Sequence, residues 1–218
     1  MLTRPFSKDA QIDMSNTMYP STLSCHAGGE TQLNDHTSTY YGFVLNGSVK
    51  ITRPQQTSLE CLKNMYFASP GSLNLSGDGQ AVIIRRFGYR GLFQMGGPTE
   101  SQGRLTYIDN CTTTLLVPPA RLGDPAFNIL YFPPGIRQTS HIHPSVRLGI
   151  VLSGSGHCVK PNAAPMALEP GMVFCISENE QHCFHSGEQG MSVIAYHPDS
   201  EWGPTDQSHP MLNRTYIR

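Results

Sequence analysis

Residues 135–154 read Gly-Ile-Arg-Gln-Thr-Ser-His-Ile-His-Pro-Ser-Val-Arg-Leu-Gly-Ile-Val-Leu-Ser-Gly, with His141 and His143 two apart, Arg147 four further on and Gly154 at the close. Side chains at i and i+2 leave the same face of a strand, so the two imidazoles and the guanidinium are expected on one face. A third imidazole, His182, follows the turn-rich stretches Glu169-Pro170-Gly171 and 177–181, from which a second strand can cross to the same place. Three neutral imidazoles with coordination positions left open suit a divalent transition metal such as iron, zinc, nickel or copper.

Composition narrows the class. At 218 residues the chain is long enough for one large domain or two small ones, with a core that needs no covalent staples. A net charge of −1 and 14% charged residues argue against a nucleic-acid or polyanion binder. The 21 glycines and 17 prolines, set among Thr, Ser, Val, Ile and Tyr without a long helical periodicity, point to an all-β chain with frequent turns. Cys25, Cys61, Cys111, Cys158, Cys175 and Cys183 show no CxxC spacing. Residues 1–13 are polar and mixed in charge, with no apolar stretch long enough for a signal peptide or a membrane span. The expectation is reduced, buried thiols and a cytoplasmic location without a membrane partner.

Residues 1–20 form an arm bracketed by Pro5 and Pro20, expected to drape over the body or onto a partner subunit. Short strands are expected at 40–45, 48–52, 64–68 and 81–87, with Asn46-Gly47 as a hairpin turn between the first two. A Gly/Pro-rich link over 89–120 carries candidate strands at 105–108 and 112–117. A second set is expected at 126–132, 147–152, 157–159, 172–176, 181–185 and 191–196. Strands this short at this spacing suggest sandwiches or barrels. The tail from Pro198 carries Trp202, Met211, Leu212, Tyr216 and Ile217. That is enough apolar surface to pack back on a barrel or a second subunit, at about 1.5–3 kcal/mol per buried side chain.

An internal repeat links the two sets. A shift of 107 positions carries Gly28, Asn34, His36, Tyr40 and Gly47 onto Gly135, His141, His143, Arg147 and Gly154, and Pro70, Ser72 and Leu75 onto Ser177, Asn179 and His182, without a gap. The imidazole positions of the first copy thus hold Asn34, His36 and Leu75. A leucine offers no ligand atom, so the first copy is expected to be structural, and His26 to be a surface or hydrogen-bonded histidine rather than a substitute ligand.

These spacings resemble the cupins. Their first motif runs glycine, five residues, His-x-His, three or four residues, glutamate, six residues, glycine. Gly135, His141, His143 and Gly154 match it in register, with Arg147 at the glutamate place. Their second runs glycine, five residues, proline, x, glycine, two residues, histidine, three residues, asparagine. Gly171 and His182 fall in place, while Ser177, Asn179 and Ser186 stand for the proline, glycine and asparagine; Asn179 tolerates the left-handed turn conformation that glycine supplies. With the repeat, the chain resembles the bicupins. That implies two cupin-like (jelly-roll) β-barrels in tandem with few short helices: a degenerate N-terminal barrel over 21–100, and a C-terminal metal-binding barrel with its packed tail over 101–218.

The resemblance further implies a metal held by His141, His143 and His182, with Fe(II) favoured and Zn(II), Ni(II), Mn(II) or Cu(II) as alternatives. Arg147 puts a permanent cation where the family offers an anionic ligand. Its planar fork suits a carboxylate or phosphate, and a guanidinium beside a dication is unfavourable unless an anion lies between them. An anionic small-molecule substrate follows, unless Arg147 turns to the barrel mouth or pairs with a carboxylate. Phe174 and Phe184 are the candidate pocket walls, and Tyr196 the candidate tyrosine to donate a proton or hold an oxygen ligand. His185 should point away from the face of His182, and His157, His197 and His209 are expected at the surface or behind the ligands. The implied function is a three-histidine Fe(II) dioxygenase-type enzyme. A non-catalytic binding or sensor cupin, and an isomerase or lyase using another metal or none, stand beside it, with a homodimer as the partner state to test.

Overall fold

The computed structural model describes residues 1–209, 211, 212 and 215–217. Among them it is all-β apart from one 3-10 turn at Ile108–Asn110, and no helix is long and apolar enough to cross a membrane. The arm contributes two strands, β1 (Leu2–Pro5) and β2 (Gln11–Met14), which go to different sheets. The first sheet adds β3 (Ser21–Leu33), β4 (Thr39–Asn46), β5 (Ser48–Thr52), β6 (Leu59–Leu62), β7 (Tyr66–Pro70), β8 (Leu73–Arg86) and β9 (Gln94–Gly96). The second adds β10 (Leu105–Thr106), β11 (Thr112–Val117), β12 (Ala126–Phe132), β13 (Arg147–Val159), β14 (Met166–Leu168), β15 (Met172–Ile176) and β16 (Cys183–His197).

The two sheets share one plan. In the first the order is β2-β3-β8-β4-β7-β9, with β5 and β6 continuing from β8; in the second it is β1-β15-β13-β16-β12-β11-β10, with β14 on β13. A long central strand, β8 or β16, lies between its two long partners in each. Gly42 faces Phe67 across β4 and β7 as Gly149 faces Phe174 across β13 and β15. Each glycine leaves room for the neighbouring ring.

Two expectations need correction. Asn46-Gly47 does not reverse the chain, because β4 and β5 both run along β8. Gly47, at φ 64, bends one continuing path, as Gly154, at φ 69, bends the unbroken β13; a Cβ at Gly154 would lie 2.0 Å from the Gly190 carbonyl oxygen. The shift of 107 also fails past β7. Ile51 pairs with Leu75 where Cys158 pairs with Phe184, and Tyr41 pairs with Ile84 where Leu148 pairs with Tyr196. The second sheet has more residues between its matching strands there, and Leu73 rather than Leu75 occupies the place of His182.

Three apolar clusters follow from strands buried on both faces. Tyr40 and Val44 of β4 join Phe67, Leu73, Leu75 and Ile83 inside the first sheet. Val151 of β13 joins Leu130, Phe132, Phe174, Phe184, Met191 and Val193 inside the second. The alternate residues, Tyr41 and Phe43 on one side and Leu148, Ile150, Ile194 and Tyr196 on the other, meet in a core shared by both sheets. The six cysteines are free and buried. At the start of the tail Asp199 accepts from Ser145 and the Ser200 carbonyl accepts the Gly123 N–H, but the apolar side chains expected to pack, Trp202, Met211, Leu212, Tyr216 and Ile217, are 62–98% exposed within the chain. The tail's described residues add no strand and belong to none of the three clusters.

Candidate metal centre

Local backbone pairing sets the imidazoles. His141 and His182 form an isolated antiparallel bridge in which each N–H donates to the other's carbonyl, at 2.9 and 3.0 Å. The carbonyl of His143 accepts the Asn179 N–H at 2.7 Å, and Asn179 holds the left-handed conformation (φ 57) that its place in the motif calls for. The ring centroids stand 4.9 Å (141 to 143), 4.7 Å (141 to 182) and 5.1 Å (143 to 182) apart.

Hydrogen bonding fixes the tautomers of two rings. Nδ1 of His141 lies 2.8 Å from the Thr139 carbonyl and Nδ1 of His182 lies 2.8 Å from the Glu180 carbonyl. A carbonyl only accepts, so both Nδ1 atoms carry the proton and both Nε2 lone pairs are free. Thr139 is anchored in turn: the Asp109 carboxylate accepts its N–H at 2.6 Å and its hydroxyl at 3.0 Å. Burial, helped by the Arg147 charge, pulls the His143 imidazole down to about 3, and burial lowers His182 as well. The ligand atoms of the three rings all lie within 4.8 Å of one another. Since a bound imidazole sits about 2.0–2.1 Å from a metal, a small inward rotation brings them onto one ion. The donor set fits a divalent transition metal with open coordination positions.

Arg147, the first residue of β13, faces the same cavity as the histidines that precede the strand. It is 8% exposed and lines, with the three histidines, a cavity of about 270 Å³ whose wall includes Phe174, Phe184, Asn128, Gln138 and His197, with Trp202 among its lining. Nη1 donates to the Ser145 carbonyl (3.0 Å), the Ser145 hydroxyl (2.7 Å) and the Val146 carbonyl (3.1 Å), while Nε is buried without a protein partner. The Ser145 hydroxyl donates onward to Asp199. Burial brings the guanidinium down to about 10, opposed by Asp199 and Tyr107, so it stays a cation at neutral pH. His197, 6.3 Å from His143 between centroids, is held neutral by its burial and by Arg147.

Of the residues singled out in the sequence, Phe174 and Phe184 stand in the cavity wall, Phe184 with its ring 5.9 Å from His182. Tyr196 does not. It is fully buried on the opposite face of β16, its ring 5.1 Å from Tyr41 in the core shared by the sheets, and it takes no part in the cavity. Asn128, Gln138 and His197 were not singled out as cavity residues. For Asn128 a signal existed: it alternates with Leu130 and Phe132, a polar side chain on the inward face of an apolar strand.

The first copy carries no such group among the described residues. Leu33 pairs with Leu73 where His141 pairs with His182, and Asn34 and His36 are exposed. Its loop is closed by a carboxylate instead. Asp35 accepts from the hydroxyls of Ser38 (2.5 Å) and Thr37 (2.6 Å) and from Arg85. His26 is buried with Nδ1 2.9 Å from the Thr31 hydroxyl, hydrogen-bonded and far from a ligand's role.

No family model and no curated protein matches the sequence. Solved structures do match the fold. A cupin 2 conserved barrel domain protein from Leptotrichia buccalis is 14% identical with a TM-score of 0.63, covering 86% of this chain and 87% of its own. Oxalate decarboxylase of Bacillus subtilis, described with Mn(II) centres, is 10% identical with a TM-score of 0.57, covering 92% and 76%. Salicylate 1,2-dioxygenase from Pseudoaminobacter salicylatoxidans, in adducts with gentisate, is 10% identical with a TM-score of 0.60, covering 85% and 72%. The architecture of two similar sheets around buried strand faces is therefore that of cupin proteins, and the chain has the cupin fold.

Proposed function

We propose that the chain is a metal-dependent enzyme acting on a small organic anion, with Fe(II) held by His141, His143 and His182 and dioxygen as co-substrate. The observation that carries this reading is the convergence, on one small apolar cavity, of three imidazoles, those of His141 and His182 with free Nε2 lone pairs, and one buried cation, Arg147. Bound iron would supply redox chemistry and polarise a coordinated oxygen of the substrate. The protein's own residues do the rest. Arg147 is fixed by Ser145 and Val146 through Nη1, which leaves the remainder of its fork to a carboxylate. That anion offsets the repulsion between guanidinium and dication. Phe174 and Phe184 orient the carbon skeleton and keep competing water out.

The neighbouring enzymes named for salicylate and oxalate, and the adduct with gentisate, support a carboxylate as the anion. The Mn(II) neighbour favours a second reading, a non-oxygenase lyase or decarboxylase using the same three histidines. We read the two sheets as tandem barrels with the metal in the second, and the protein as a cytoplasmic monomer or homodimer. The test is to purify the chain without an affinity tag, load it anaerobically with Fe(II) or Mn(II), and follow oxygen uptake and carbon dioxide release over a panel of small carboxylic acids. Oxygen uptake with Fe(II) alone supports the first reading; carbon dioxide release without oxygen supports the second. A chain that retains neither metal overturns both and leaves a metal-free binding protein.

A further inference from the structure

The cavity wall contains one buried acceptor whose direction is forced. Asn128 is 6% exposed and lies on β12, separated from Arg147 on β13 by β16, two inter-strand steps of about 4.8 Å. Its amide has a neighbour on one side only: Nδ2 lies 3.0 Å from the hydroxyl oxygen of Thr113. That hydroxyl spends its single proton on the Ile129 carbonyl at 2.9 Å. Thr113 can therefore only accept from Asn128, so the NH₂ group must face it and Oδ1 must turn the other way. Oδ1 is buried and no protein donor reaches it. The residue lines the same cavity as the three histidines and Arg147. A buried acceptor left unpaired is costly, and a site that offers one discriminates strongly against ligands without a matching donor.

We propose that Asn128 is a specificity-determining residue and that the anion bound in this cavity carries an O–H or N–H donor in addition to its carboxylate: a small hydroxy- or amino-substituted acid rather than a plain one. The assignment rests on the reading of Arg147 as the anion anchor. Arg147 then supplies the donor side of recognition and Asn128 the acceptor side.

Matched ligands test this on the chain loaded with redox-inert Zn(II), by titration calorimetry with propionate against lactate, and benzoate against 3-hydroxybenzoate and 3-aminobenzoate. The substituted acid should bind roughly 5- to 100-fold more tightly than its parent in at least one series. Asn128→Leu should erase that preference while leaving affinity for the parent acid within about twofold. Equal binding in both series, or a preference that survives Asn128→Leu, would overturn the proposal; survival would assign the gain to metal chelation by the extra group. If Asn128→Leu loses its far-ultraviolet dichroism, Thr113→Val decides: freed from its acceptor the amide can turn, so the preference should shrink, and an undiminished preference overturns the forced orientation. If no acid binds although zinc is retained, the anion reading of Arg147 fails by itself. Benzyl alcohol against toluene then tests Asn128 alone, tighter binding of the alcohol supporting it and no difference overturning it.

Discussion

Each imidazole of the site depends on a backbone carbonyl or on burial to present a bare nitrogen, which makes the ligands non-interchangeable with their counterparts in the first copy. His182→Ala removes one of three ligand atoms and should reduce metal content from about one per chain to near zero, measured by elemental analysis after dialysis. His36→Ala, on an exposed loop, should leave it unchanged. Arg147→Ala should retain the metal but weaken carboxylate binding about 10- to 100-fold, the worth of a charge-assisted hydrogen bond. Asp35 gives the first copy its own signature in pH. The Ser38 and Thr37 hydroxyls, then the Thr37 N–H and Arg85, hold its carboxyl below the usual range. A depressed carboxyl contributes stability above its unfolded value near 3.9, and that contribution is lost as pH falls through the folded value. Asp35→Asn should therefore cost roughly 1–3 kcal/mol at pH 7, and urea denaturation should show the gap closing below about pH 4.

Within the strands, glycine marks where elements press on each other. A Cβ at Gly149 would lie 2.0 Å from the Ile194 carbonyl oxygen as well as against the Phe174 ring, whereas at Gly42 the three nearest atoms it would meet all belong to the Phe67 ring. Backbone cannot step aside as a ring can. Gly149→Ala should cost about 3 kcal/mol or more and Gly42→Ala less, toward the lower end of the overpacking range, compared by urea midpoints of the two variants. The same strands show what the sequence could and could not tell. His141, His143 and Arg147 were legible from the motif spacing, which also brought His182 to them, although the single strand expected to carry the first three begins only at Arg147, and His141 and His143 are placed by an isolated bridge and a loop before it. β5, β11, β12 and β15 match the expected ranges because turns bound them. Tyr196 was misplaced because residues 191–196 are buried without a break, so no polar alternation shows which face is which. β3 was missed because Gly28-Gly29 looks like a loop; both glycines take positive φ inside a bulge of a thirteen-residue strand. The ungapped repeat misled at Leu75, since the extra residues between matching strands of the second sheet leave no trace in spacing counted from one side.

At the scale of the whole chain, the core that Tyr41 and Phe43 share with Phe127, Leu148, Ile194 and Tyr196 belongs to neither sheet alone. Separating the sheets would expose it, so the two should unfold together: calorimetry should show a single transition whose van't Hoff and calorimetric enthalpies agree. Two transitions would mean that each sheet keeps its structure without the other. The arm adds a second tie. β1 closes the β15 edge of the second sheet, Phe6 donates its N–H to the Gly171 carbonyl at 2.7 Å, and β2 stays with the first sheet. Thr3 meets Met166 across 163 positions of chain, so at a ribosome's pace of about 5–20 residues per second the arm waits on the order of ten to thirty seconds before its mate emerges. During that interval it is an unmatched ribbon. The same docking slot on a neighbouring nascent chain would serve it equally well, which makes intertwined dimers the characteristic misassembly to expect when this protein is made quickly and at high concentration.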